Sequence, residues 1–194
     1  MSPTALDALR ARIQRTLNVA QRQTAEGFTQ SHVLDDGMRH SYSVTGVKSP
    51  EQLEDELLVL FVWVWSLKDH LKRAYRANKL DPKLVDEAVN GSDRLQYIAD
   101  IANRAKHGDG RESRSGRFAT LVDVRIALPQ TALSSITFGA NTVGIDVCKP
   151  EEVTLRASVQ PQGTAPLDAF AVLTEGISVW ETQVLSRITP NRTP

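Results

Sequence analysis

The stretch LLVLFVWVWSL, from Leu57 to Leu67, constrains this chain more than any other. It is apolar on every side of a helical wheel, and such a helix is stable in water only when other elements cover it all round. It is therefore expected to be the central element of a helical bundle. Ser49-Pro50-Glu51-Gln52 marks its start: Ser49 can cap, Pro50 suits the first helical position, and Gln52 completes a capping box. The spacing predicts a helix over about 50–76, with Trp63 and Trp65 supplying most of its packing volume. The unbroken apolar part, Leu57 to Trp65, is flanked by Glu56 and Lys68. It falls well short of the ~20 residues that span a bilayer, so no membrane insertion is expected.

Around this element the chain reads as one α+β domain over 1–194. The parts are an antiparallel helical bundle (1–108), a glycine-rich hinge (109–117), an antiparallel β-meander (118–160) and a C-terminal helix (165–188). With 41% hydrophobic and 24% charged residues, a chain of this length buries about two thirds of its unfolded surface without disulfide or metal support. Leu6, Leu9, Ile13, Leu17 and Ala20 recur at helical spacing, predicting a first helix over about 4–24 that ends before Gly27. Residues 28–47 show no helical period and read as a long loop with a short hairpin around Asp36-Gly37. So long a loop is either functional or the sign of a concealed element.

Asp81-Pro82 opens a further helix, broken near Asn90-Gly91. Ser92 then caps a helix from Asp93 to His107 that Gly108 stops. Leu95, Ile98, Ala102 and Ala105 share one of its faces; Asp93, Asp100, Asn103, Arg104 and His107 share the other. Beyond the hinge the period changes to two. Phe118, Thr120, Val122, Val124, Ile126 and Leu128 point one way, with Asp123 and Arg125 opposite. Strands over 131–138, 143–148 and 153–159 follow with short links. The last helix carries Leu167, Phe170, Leu173, Ile177, Trp180 and Val184 at helical spacing.

Charge and cysteine content narrow the function classes. There are 23 basic and 23 acidic residues, so the whole chain exerts no electrostatic pull on nucleic acid. The basic segment Lys106–Arg117 lacks interleaved aromatics and reads as a solvated loop rather than a stacking platform. The lone Cys148 follows Val143, Ile145 and Val147 and is expected to be a small buried hydrophobe. With no disulfide framework and no apolar signal segment near Met1, a reducing, cytoplasmic setting is expected. His32, His40 and His70 lack metal-ligand spacing, and neither a phosphate-binding glycine loop nor a Gly-x-Ser-x-Gly elbow occurs. No metal and no cofactor is expected.

One constellation has the residue types for chemistry. On the helix ending at His107, the side chains of Asp100, Asn103, Arg104 and His107 fall within an arc of roughly 100°. Asp69 and Arg73 stand at i, i+4 on the central helix. If the two polar ends meet, Arg104 can clamp a phosphate bidentately, His107 can shuttle a proton near neutral pH, and Asp100 can orient His107 or bind Arg104. The same face can equally be a solvated surface, or a buried network tying two helices together. If Asp69 is buried after so apolar a stretch, it needs partners.

Trp65-Ser-Leu-Lys-Asp69-His70-Leu71 and Asp100-Ile-Ala-Asn103-Arg104-Ala-Lys-His107-Gly108 resemble segments of the HEPN-like class of small helical bundles from bacteria and phages, over about 49–108. The resemblance implies an antiparallel bundle, homodimerisation, a toxin–antitoxin or antiphage setting and, in active branches, metal-independent RNA cleavage. Active members carry four to six residues between arginine and histidine, whereas Arg104 and His107 are separated only by Ala105 and Lys106. Three functions follow as expectations. The first is a non-catalytic interaction or regulatory module, a homodimer acting through its surfaces on a protein partner. The second is a divergent ribonuclease or toxin using Arg104, His107 and Asp69 on RNA. The third is a small-ligand sensor.

Overall fold

Helical spacing at the N-terminus becomes α1 (Ala5–Ala20), with Ile13, Leu17 and Ala20 buried. A computed structural model describes residues 4–35, 37–108, 113 and 115–188. Thr4 opens α1: its Oγ1 accepts from Asp7 N at 3.2 Å and donates to Asp7 Oδ2 at 2.6 Å. The helix ends four residues earlier than its apolar period suggests, because the chain turns extended at Thr24. The remaining elements are β1 (Thr24–Val33), β2 (Arg39–Val47), α2 (Pro50–Ala77), α3 (Lys83–Asn90), α4 (Asp93–His107), β3 (Thr120–Ala127), β4 (Leu133–Phe138), β5 (Thr142–Val147), β6 (Thr154–Gln160), β7 (Leu167–Asp168) and α5 (Ala169–Val179). A π-helical turn (Trp180–Leu185) and a last helical turn, α6 (Ser186–Ile188), close the described chain.

The class is α+β, a helical bundle with strands and a C-terminal helix. The chain divides into two compact units. The first takes Met1–Val19, Glu56–Asp123 and Ala157–Pro194; the second takes Ala20–Asp55 and Val124–Arg156.

In the first unit, α2 buries Leu57, Leu60, Phe61, Val64, Leu67, Leu71 and Tyr75 at helical spacing. Each such side chain contributes about 1.5–3 kcal/mol on burial. The expectation that Trp63 and Trp65 dominate the packing is corrected: both are only half-buried, and Val59 is exposed. Their indoles take cations instead, with Arg12 Cζ 4.7 Å from the Trp63 ring centroid and Lys68 Nζ 5.0 Å from that of Trp65. The large buried aromatic is Trp180, whose Nε1 donates to Val64 O at 3.2 Å. Trp180 opens the π-helical turn, and the carbonyl of Val184 within that turn accepts the buried Tyr75 hydroxyl at 2.8 Å. A π-turn widens the backbone ladder, and here a side chain from α2 uses one of its carbonyls. At Gly176 of α5 an added Cβ would lie 2.3 Å from Ile98 Cδ1, so α5 and α4 are in close approach there.

Ser92 caps α4 as its sequence predicts, with Oγ accepting from Leu95 N at 3.3 Å, and Gly108 (φ 72°) ends it. Leu95, Ile98 and Ala102 are buried, but Ala105 is exposed because it lies in the last, solvent-facing turn. Asp168 caps α5, accepting from Ala171 N at 2.8 Å.

The second unit holds the main correction. Residues 28–47 are not a loop but most of an antiparallel hairpin, β1 with β2, in register from Thr24↔Val47 to Val33↔Arg39. The alternation is hard to read because polar Gln30 and His32 share a face with Phe28, facing Tyr42 and His40. Gly27 (φ 121°) sits at an irregularity in β1, where an added Cβ would meet Val44 O at 2.3 Å. Asp36, part of the expected turn, lies outside the described residues. The strand order is β1-β2-β5-β4, with β2–β5 parallel and β4–β5 antiparallel. Val44, Val47, Ala132 and Val153 form its buried centre, with Phe28, Tyr42, Ile126 and Ile145 packed around them. The strands expected as one meander therefore assort into two sheets, since β3, β6 and β7 pair in a separate one. Cys148 corrects another expectation. It is exposed, one residue past Val147 and on the opposite phase of the strand, with Sγ 3.5 Å from Ala132 O.

Candidate functional site

The polar face of α4 separates along its length. Asp100 is buried, with 8% of its surface exposed. Its Oδ1 accepts from Ser113 Oγ at 2.8 Å; its Oδ2 accepts from Ser115 Oγ at 2.9 Å and from Ala119 N at 3.2 Å. The two hydroxyl oxygens lie 2.9 Å apart, with both hydroxyls donating to the carboxylate. Asp100 thus ties α4 to the segment that follows it rather than to a second helix. Asn103 is half-buried, whereas Arg104 beside it and His107, a turn further on, are exposed. Asp69 on α2 is exposed as well. His70 is half-buried and Arg73 is exposed. Of the basic segment, Arg111 and Arg114 lie outside the described residues; Arg117 pairs with Asp93 at 3.0 Å.

What the first unit brings together instead is an open cleft of about 400 Å³ between α2, α3 and α4. Trp65 and Lys68 line it from α2, and Asp86, Val89 and Asn90 from α3. Gln96, Ala99, Asp100 and Asn103 line it from α4, and Ser115 from the segment beyond. Two of the five sequence-predicted site residues, Asp100 and Asn103, are therefore on one cleft; Asp69, Arg104 and His107 are not among its lining.

The cleft's charges are internally answered. Lys68 Nζ is 3.1 Å from Asp86 Oδ1 and Lys72 Nζ is 2.6 Å from Asp86 Oδ2. Burial pushes the Asp86 carboxyl up, but the hydrogen bonds from Lys72 and Lys68 outweigh it and hold the group below the ordinary aspartate value. Gln96 Nε2 donates to Asn90 O at 2.9 Å, which bridges the ends of α3 and α4 and leaves its side-chain oxygen out of that bond. Val89 and Ala99, both buried, supply an apolar surface. Sequence reasoning passed over Lys68, Asp86, Gln96 and Ser115. The available signal was Lys68 and Lys72 at i, i+4, a like-charge pair that needs an acid from another element.

Among the described residues, no group of three or more His, Cys, Asp or Glu side chains is placed to hold a metal ion. Nor, among them, is any helix long and apolar enough to cross a membrane. No family model, curated protein or solved structure matches the chain.

Proposed function

We infer that this chain is a non-catalytic regulatory module that binds a small polar molecule in the cleft between α2, α3 and α4. The observation that carries the reading is the cleft itself. Its ~400 Å³ falls in the range of small-molecule sites, and it combines one indole, a small apolar surface and a few convergent polar groups. Its two carboxyl groups already have partners: Asp86 pairs with two lysines, and Asp100 accepts from two serine hydroxyls and a backbone N–H. Groups held in this way recognise and orient; a general acid or base needs a proton path to substrate.

The alternative, RNA cleavage by Arg104 and His107, draws its support from residue type and from both side chains being exposed at the end of α4. The two readings separate in one experiment on the purified chain. Thermal unfolding is followed across a metabolite set, alongside incubation with mixed RNA without added metal. Ligand-dependent stabilisation that is lost in Asn103→Leu, with RNA left intact, is the expected result. RNA cleavage abolished by His107→Ala and Arg104→Ala in folded protein would overturn the regulatory reading in favour of the nuclease.

A further inference from the structure

The second unit leaves one strand edge open. In the order β1-β2-β5-β4, β1 and β4 are the two outer strands. An outer strand presents unpaired backbone groups to any chain that can add to it, so proteins blunt such edges with charge, proline or a bulge. β1 is blunted: it carries Glu26, and its register shifts at Gly27. β4 is not. Leu133–Phe138, LSSITF, holds neither a charged residue nor a proline, and its irregularity lies at its start, between Leu133 and Ser135.

Backbone pairing fixes what the open edge offers. Gly139 N donates to Thr142 O at 2.8 Å, closing the β4–β5 turn as a hydrogen-bonded pair. Antiparallel pairs alternate, so Thr137↔Gly144 is hydrogen-bonded in turn, while Phe138↔Val143 and Ile136↔Ile145 are not. The N–H and C=O of Ile136 and Phe138 therefore point away from β5, out of the open edge. Both side chains share the face that carries Ile145, yet they lie beyond the buried centre: Ile136 is 47% exposed and Phe138 79%. Outward main-chain groups and exposed apolar side chains thus belong to the same two residues.

Symmetry selects the occupant. A two-fold axis through Thr137, perpendicular to the sheet, sets β4 antiparallel to the β4 of a second copy. Ile136 then lies opposite the partner's Phe138, and Phe138 opposite the partner's Ile136. Aromatic and β-branched residues are favourable cross-strand neighbours, and the outward N–H and C=O groups of these residues meet their complements. Pairing a strand with itself sets like against like, which charge would oppose, and β4 carries none. A foreign strand selected by charge would find nothing on this edge to recognise. The assembly also closes at two, because both of its outer strands are then the blunted β1. We propose that β4 is a self-association edge: two copies of this chain join β4 to β4 about Thr137, making one continuous sheet from two four-stranded ones.

So short an edge buries less than the ~1,600 Å² of a standard interface, and the dimer is accordingly weak, with a Kd of about 0.1 mM. Sedimentation of the full chain from about 5 µM to about 500 µM brackets that value and is expected to show monomer giving way to dimer. Thr137 is exposed, so Thr137→Lys and Thr137→Glu should fold with unchanged circular dichroism. Each sets like charge against like across the axis and should dimerise at least about tenfold more weakly than the parent. Mixed in equal amounts, the two should associate to within about threefold of the parent, because lysine then faces glutamate. Phe138→Ser, which adds no charge, should also weaken the dimer. A parent that stays monomeric throughout would overturn the proposal, as would folded Thr137→Lys or Phe138→Ser that associates as the parent does. A mixture that associates no better than its separate variants would take the axis away from Thr137 and overturn it as well.

Discussion

Asp100 illustrates how a single side chain decides what a helix face is for. It shares an arc with Asn103, Arg104 and His107, yet only Asp100 is buried, and among the described residues its carboxylate accepts from Ser113, Ser115 and Ala119 N. Replacing it by asparagine exchanges one acceptor oxygen for a donor facing other donors. Asp100→Asn is expected to cost about 2–3 kcal/mol in urea unfolding; a loss under about 0.5 kcal/mol would mean the network carries no stability. Asp86 makes a second prediction at this scale. Its folded carboxyl is held below the ordinary value, so the unfolded chain binds the proton more readily. The contribution is therefore present above the unfolded aspartate pKa of about 4 and is lost as pH falls through the lower folded value. Between pH 5 and pH 2 the parent should lose more stability than Asp86→Asn; parallel curves would remove Asp86 from the acid response.

Elements were legible where their period was carried by apolar residues and their ends by caps. α4 has both: Ser92 and Gly108 bound it, and Leu95, Ile98 and Ala102 are buried. The β1–β2 hairpin had neither, because Gln30 and His32 interrupt the inward face. Their polar groups find partners only in the folded sheet, where Gln30 bonds Tyr42 and Glu51 and the His32 ring stacks on Tyr42. The π-turn was likewise invisible in sequence, since the Tyr75–Val184 bond that uses its carbonyl joins distant residues. Packing between elements makes its own prediction at Gly176. Its missing side chain accommodates Ile98, so Gly176→Val should destabilise by about 1–3 kcal/mol through overpacking. Pairing it with Ile98→Ala should recover part of the loss, giving a coupling of at least about 0.5 kcal/mol in a double-mutant cycle. Additive losses would mean that α4 and α5 do not press on each other there.

At the scale of the molecule, composition and period were enough for the α+β class and for most of the helices. They were not enough for the assortment of strands into two sheets, which depends on β2 accepting β5 as a parallel neighbour across nearly a hundred residues of chain. The site was partly legible: Asp100 and Asn103 were singled out and line the cleft, but Lys68, Asp86 and Gln96 join them only through the packing of three helices. The central claim is that this cleft is a ligand site, and the most direct measurement is calorimetric titration of the full chain with a broad metabolite set. The account predicts saturable binding at one site per chain, abolished or weakened about tenfold by Asn103→Leu and left unchanged by His107→Ala. Binding that ignores Asn103 but disappears with His107 would contradict it.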